Sequence, residues 1–392
     1  MTIRTGVLLF LLLAAAGCAA TPDNYVPSAR AVTLSSGLQL DPVAFADLPD
    51  WNRGRQSEAL AAFRRSCRKI TSLPGNTPVG PNGIAGQVSD WLVACRSANI
   101  IGEDEDDSAR LFFQHLFRPY RLSDSSDGDE GLLTGYYLPR VRGSREHLPG
   151  YSVPLYRRPP DLVIADDGRL GRLDGGGQFR PYYTRAEIDA GALSGKGLEL
   201  VWLASPIDAF FVSVQGSAEI SLTDGSRMRL GVAANNGQPY TAIGRTLVAR
   251  GWMKSDEVSM QSIVAWMQAH PNQAQALMQT NPRYIFFQEV SGEGPIGAEG
   301  VVLTAGRSLA IDPNYLPYGA PVFLDSYDAK GAPWRRLMLA QDTGAAIKGP
   351  LRGDVYWGDG EVAEQSAGAM KSPGRFYLLL PIGVIPTASA GS

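Results

Sequence analysis

The chain has 392 residues, with 36 Lys and Arg against 39 Asp and Glu, a formal net charge of -3 and 44% hydrophobic residues. Its length exceeds one ordinary domain and predicts two. The near-balanced charge, with no basic cluster, argues against nucleic acid as a partner.

Residues 1–18 read as a bacterial export signal. Arg4 supplies the positive start, Val7 to Ala16 the apolar run, and Ala15-Ala16-Gly17-Cys18 the small-residue processing site. The run is too short to span a bilayer, which takes about 20 apolar residues. The small residues before Cys18 resemble a lipobox and predict a lipidated Cys18 at the mature N-terminus. Ala19 in place of Asp then predicts, by analogy, the outer membrane of a Gram-negative bacterium, facing the periplasm. Plain secretion with Cys18 incidental is the other reading.

Residues 19–48 read as a polar tether, followed by helices. Leu60, Phe63, Cys67 and Ile70 form one apolar stripe, and Val88, Trp91, Leu92 and Cys95 a second. The remaining cysteines, Cys67 and Cys95, permit one disulfide in an oxidising compartment; two buried thiols are the alternative. Ala109, Phe112, Phe113, Leu116 and Phe117 make a third stripe behind an acidic cluster, Glu103 to Asp107, whose charge suits a helix N-terminus.

From Leu132 onward the pattern is mainly β. Ala218, Ile220 and Leu222 alternate before Asp224-Gly225, and Met228 and Leu230 alternate after it, which predicts a hairpin. Thr184-Arg185-Ala186-Glu187 reads as a capping box, and Ser255 to Asn281 as two helices broken before Pro271. The β pattern resumes after Tyr284 and runs to Ile385, with a frayed tail beyond Pro386. Glycine, at 44 residues, exceeds the usual ~7% and fits a turn-rich barrel.

The three histidines, His115, His147 and His270, have no metal-ligand spacing, so no metal is expected. Neither a phosphate-binding loop nor a dinucleotide fingerprint occurs, so no cofactor is expected. Nothing like G-x-S-x-G supports a serine nucleophile.

Chemistry concentrates in Gln341 to Gly360, where Asp342 and Asp354 sit among glycines directly after the apolar run Leu337 to Ala340. A strand ending in glycine-rich turns lets backbone approach a ligand, and carboxylates there suit acid/base work. Asp beside Gly is also ordinary turn chemistry. Asp342-Thr343-Gly344 matches the aspartic-protease loop, but that chemistry needs two such loops and the chain has one. Arg352-Gly353-Asp354 spells a cell-adhesion tripeptide that recurs by chance.

Five segments in order carry a more specific signal: Thr134-Gly135-Tyr136-Tyr137, Val214-Gln215-Gly216-Ser217, Tyr240 to Gly244, Asn281 to Phe287, and Gln341 to Gly349. Together they resemble the membrane-bound lytic murein transglycosylase A family. The resemblance implies a mainly β fold with N-terminal helices. A double-psi β-barrel would form from 49–137 and 292–386, with its three-aspartate part in 292–386, and a second β-barrel substrate domain, 138–291, would be inserted. A groove would separate the two. Leu138 stands where the family often has Glu, and Ala345 where Gly is common.

The resemblance also implies the reaction: cleavage between N-acetylmuramic acid and N-acetylglucosamine, with attack by the sugar's own C6 hydroxyl giving a 1,6-anhydro product. By motif, Asp354 falls on the catalytic position and Asp342 supports it. Thr134, Tyr136, Tyr137, Gln215, Gly216, Ser217, Lys348 and Asp312 are the substrate-side candidates, although Tyr136 and Tyr137 could equally be strand core and Asp312 could fix a turn. Peptidoglycan glycan strands are the implied partner of a monomeric chain, with room for a cell-wall enzyme complex. A noncatalytic peptidoglycan-binding lipoprotein, a hydrolytic muramidase and an aspartic protease dimer are the competing readings.

Overall fold

The computed structural model describes residues 31–34, 36–292 and 294–386. The export signal, Cys18, the first part of the tether (19–30) and the tail after Pro386 lie outside the described residues. Among those described, no helix is long and apolar enough to cross a membrane.

Two short strands, β1 (Val32–Thr33) and β2 (Leu38–Pro42), precede helices α1 (Gln56–Ile70), α2 (Val88–Ala98) and α3 (Asp106–Leu116). The predicted stripes face inward: Leu60, Phe63, Cys67 and Ile70 from α1 meet Trp91 and Cys95 from α2 and Phe112 and Phe113 from α3. Phe63 is the hub, with the rings of Trp91, Phe112, Phe113 and Phe117 at 5.5 to 6.3 Å. Cys67 and Cys95 are joined as a disulfide, Cα atoms 5.3 Å apart, which ties α1 to α2. Asp106 of the acidic cluster accepts from the Ser57 N–H at 3.0 Å and its hydroxyl at 2.6 Å, satisfying the open first turn of α1. The tether reading needs correction at its end: Leu38 and Leu40 are fully buried, because β2 pairs with β3 (Phe117–Asp124). Two alternating leucines were too short a period to register as a strand.

After β4 (Gly131–Leu138) the chain leaves this unit. Strands β5 (Arg140–Ser144) and β6 (Val153–Tyr156) lead to a small sheet of β7 (Val163–Ile164), β8 (Leu170–Leu173) and β9 (Phe179–Pro181). Helix α4 (Arg185–Asp189) opens on the predicted capping box: Thr184 accepts from the Glu187 N–H while Glu187 accepts from the Thr184 N–H at 2.7 Å. Then follow β10 (Glu199–Leu203), α5 (Pro206–Gln215), β11 (Ser217–Leu222), β12 (Arg227–Asn235), α6 (Ile243–Ala249), α7 (Met260–Ala269), α8 (Pro271–Met278) and β13 (Ile285–Glu289). The hairpin forms in the expected register, Ala218 opposite Leu230 and Ile220 opposite Met228. A six-stranded sheet runs β13-β12-β11-β5-β10-β6, and an isolated bridge from Arg157 to Phe287 joins its two edges.

The chain returns through β14 (Ser308–Ala310), β15 (Pro321–Tyr327), β16 (Pro333–Asp342), β17 (Arg352–Asp359), α9 (Gly360–Ala369) and β18 (Lys371–Pro381). The sheet order is β1-β2-β3-β18-β15-β16-β14-β17-β4, and β4 also pairs with β18. Strands β18, β15, β16, β14, β17 and β4 therefore close into a ring. Two pairings in it are parallel, β14 with β16 and β17 with β4.

Helices α5, α6 and α9 lie in stretches read as β. Helix α5 is apolar on most of its surface, so its period is masked; Ser205 caps it, accepting from the Asp208 N–H at 3.2 Å, and Pro206 fills the first turn. Helix α9 is built of small residues and reaches β4 at Gly135, where a Cβ would stand 2.7 Å from the Ala367 Cα.

Candidate active site

The two acidic residues of the glycine-rich segment meet on one face of the ring. Asp342 ends β16 and Asp354 lies in β17; the short strand β14 runs between them, and its Ala310 is the register partner of both. On the other side of β17, Asp354 is opposite Thr134 of β4, and two residues on Tyr356 is opposite Tyr136. Register partners on neighbouring strands, parallel or antiparallel, lie on the same face of a sheet, so Thr134, Asp354, Ala310 and Asp342 share one surface. The alternate residues point into the ring. Gly353 is one of these, and a Cβ there would come within 2.8 Å of Leu133 and 3.1 Å of Leu309.

Asp354 is partly exposed. Its Oδ1 accepts a short hydrogen bond from the Thr134 hydroxyl, which in turn accepts from Arg352 Nη2 at 2.7 Å. Burial pushes the Asp354 carboxyl up to about 6, against the pull of the Arg352 charge and the Thr134 hydrogen bond, with the Asp342 charge adding to the rise. Asp342 is surrounded differently. The Tyr136 hydroxyl donates to Oδ2 at 2.7 Å, and the N–H groups of Ala298 and Thr343 each donate to Oδ1 at 2.9 Å. Burial still raises its pKa above the ordinary value, opposed by all three donors.

Several substrate-side expectations change. Tyr136 is 9% exposed, its ring 5.3 Å from that of Tyr356 and its hydroxyl spent on Asp342. Tyr137 is 7% exposed and packs on Ala363 and Ala367 of α9. Adjacent strand residues point to opposite faces, so Tyr136 lies on the face of Thr134 and Asp354, with its hydroxyl on Asp342, and Tyr137 on the other, against α9. Asp312 is 3% exposed and accepts from the Asn314 N–H and side chain and, at 2.9 Å, from the Gly349 N–H. It holds down the loop that carries Lys348 and has no open edge for a ligand. Lys348 itself is exposed on that loop.

Gln215 closes α5, accepting from the Tyr137 N–H at 3.1 Å, so it links the inserted segment to β4. Gly216 follows as the left-handed C-cap, φ 77°, and Ser217 opens β11; both are partly exposed. Two neighbours of Asp354 had been passed over. Arg352 belonged to the tripeptide set aside as chance. Tyr240 stood in a quoted motif without a role, yet its phenol is pushed up by burial and by the Asp354 charge, so the inserted segment faces the carboxyl there. Among the described residues no group of three or more His, Cys, Asp or Glu is placed to hold a metal ion.

Known proteins are similar to this chain over most of its length. Residues 132–288 match the family model described as the MltA specific insert domain, and residues 307–380 match that of the 3D domain. The membrane-bound lytic murein transglycosylase A of Vibrio cholerae is 34% identical, covering 93% of this chain and 91% of the relative. A crystal structure of membrane-bound lytic murein transglycosylase from Agrobacterium tumefaciens superposes with a TM-score of 0.78 at 34% identity, covering 87% of this chain and 97% of that one. E. coli MltA with bound chitohexaose superposes with a TM-score of 0.62 at 28% identity, covering 82% and 90%. With similarity running through both units in one order, the chain belongs to the membrane-bound lytic murein transglycosylase A family.

Proposed function

We propose that this protein is a peptidoglycan lytic transglycosylase in which Asp354 is the single acid/base. The observation that carries the reading is the contrast between two neighbouring carboxyls. Both are partly exposed, but among the described residues Asp354 accepts from the Thr134 hydroxyl alone and is raised to about 6, whereas Asp342 is engaged by three donors of its own chain. A hydrolytic glycosidase needs two working carboxyl groups, one for the leaving group and one for water or the sugar. Here one is free to work. The names of the relatives, lytic murein transglycosylases, and the chitohexaose bound by E. coli MltA supply the substrate class.

In the first half of the reaction, protonated Asp354 gives its proton to the glycosidic oxygen as the bond from C1 breaks. The C6 hydroxyl of the same muramic acid residue then forms the new bond to C1 and returns its proton to the Asp354 carboxylate. No water enters, so the product is one water lighter than that of a muramidase. Tethered attack competes with solvent because effective molarities of ~10⁵ M or more are open to well-oriented intramolecular nucleophiles. Asp342, locked by its donors, fixes the Tyr136 ring and keeps a negative charge beside the acid.

The two parallel pairings of the ring support reading 49–137 with 292–386 as a double-psi barrel, with 138–291 inserted as the substrate domain. Thr134, Gln215, Gly216, Ser217 and Lys348 then border the groove. Arg4, the short apolar run and Cys18 support a lipid anchor in the outer membrane, and the relatives are named membrane-bound. Labelled palmitate that never enters the wild-type protein would sink the anchor. For the reaction, the test is digestion of purified sacculi with mass analysis. Wild type should release 1,6-anhydro muropeptides, and folded Asp354→Asn should lose at least the ~10² to 10⁴ of general catalysis. Reducing-end products only, or substantial activity in Asp354→Asn, overturns the assignment.

A further inference from the structure

The inserted segment contains a cavity of about 740 Å³, bounded by β6, β10, α4, α5, α7 and α8. That volume falls within the range of about 300–1,000 Å³ found for small-ligand sites. No residue of β4, β14, β16 or β17 lines it, so it is separate from the surface that carries Asp354. Its apolar lining includes Ile207, Phe210, Met267 and Met278.

Into this wall is set a buried cation. Arg185 is 5% exposed, with its guanidinium 4.8 Å from the Phe210 ring and 5.1 Å from that of Tyr284. Its Nη2 donates to the Arg283 carbonyl at 2.9 Å, but its Nε has no partner among the described residues. No salt bridge to it forms among the described residues; the Asp189 charge acts on it from beyond ion-pair distance. A buried guanidinium with an unfilled N–H is costly unless something completes it, and a carboxylate fits its planar edge best. Asp189 and Glu199 also line the cavity, which disfavours a bare inorganic anion and favours a ligand that brings N–H donors with its carboxylate.

We propose that the cavity binds the free carboxylate end of a short peptide that brings N–H donors of its own, the chemistry of the peptide stems carried by murein; naming the stem rests on the transglycosylase reading. Helix α5 supports the placement. Ser213 lines the cavity and Gln215, about 3 Å further along the helix, holds the Tyr137 N–H next to the active-site strand.

Calorimetric titration of the whole protein with a sugar-free stem tetrapeptide ending in D-alanine, and with its C-terminal amide, tests this. The acid should bind saturably, and the amide at least tenfold more weakly. Arg185→Lys, which keeps the charge but loses the planar N–H pair, should weaken the acid by a similar factor. Gln275→Trp, at an exposed position of the cavity wall, should abolish binding independently of how Arg185→Lys folds. Protein that is lytic on sacculi but binds acid and amide equally, or neither, overturns the site. Protein that binds the acid selectively yet releases no anhydro product leaves the site standing and overturns the transglycosylase reading.

Discussion

Replacing Thr134 with Val keeps the shape of the side chain and removes the hydroxyl that links Arg352 to Asp354. That hydroxyl donates to Oδ1 and so favours the ionised carboxylate. A hydrogen bond to a charged group is worth about 1.5–3 kcal/mol, and one pKa unit is about 1.4 kcal/mol. The Arg352 charge stays in place, so the net change is near the low end, about one unit upward from the value of about 6. The sign follows from the chemistry. In the proposed reaction only protonated Asp354 starts cleavage, so activity should fall as pH rises through its pKa, and a raised pKa should move that alkaline limb to higher pH. The assay is the initial rate of soluble muropeptide release from purified sacculi, measured as kcat/KM between pH 4 and 8. Thr134→Ser, which retains the hydroxyl, should reproduce the wild-type limb. Superimposable limbs for wild type and Thr134→Val would show that this hydrogen bond does not tune the acid.

Asp342→Asn removes a charge that raises the Asp354 pKa, so its alkaline limb should move to lower pH with a reduced plateau; an unmoved limb would separate the two carboxyls electrostatically. Opening the Cys67–Cys95 bridge by a double Ser substitution should cost about 3 to 4 kcal/mol in denaturant unfolding, from the entropy of a loop whose ends are 28 residues apart, and equal midpoints for variant and wild type would refute that. Glu299 is buried and raised to about 7, so the folded state holds its proton through a range where the unfolded chain has lost it. Wild-type stability should therefore fall as pH rises from the ordinary Glu value through about 7, by up to about 3 kcal/mol, and Glu299→Gln should not show that fall. Parallel stability curves at pH 5 and pH 8 would exclude it.

What could be read in advance was whatever a local period or an ordered set of motifs encodes. The stripes of α1, α2 and α3, the hairpin around Asp224-Gly225 and the box at Thr184 are local, and the structure keeps each of them. Asp342 and Asp354 stood out through the ordered motifs rather than through turn chemistry, and the structure brings the two to register with one residue, Ala310. The roles of Tyr136, Tyr137 and Asp312 were not. A strand's two faces cannot be assigned to core or groove until its neighbours are known, and the neighbours of β4 are 220 and 237 residues away, at Asp354 and Lys371. Arg352 was hidden for the opposite reason: its tripeptide had too familiar a meaning. Helix α5 was lost because a run that is apolar all round has no period to show.

The closure of the ring has a consequence for the cell that makes the protein. Thr134, Ala310, Asp342 and Asp354 come into register only when β4 is clamped between β17 and β18, and β18 ends at Pro381. An emerging chain at its first three hundred residues holds Thr134, Tyr136 and Gln215 but has neither of the paired aspartates. Pairings of such sequence separation form slowly and late. On the proposed reading, a wall-cutting enzyme built this way carries its own safety catch, because a copy that ends before Asp354 has no acid with which to start cleavage.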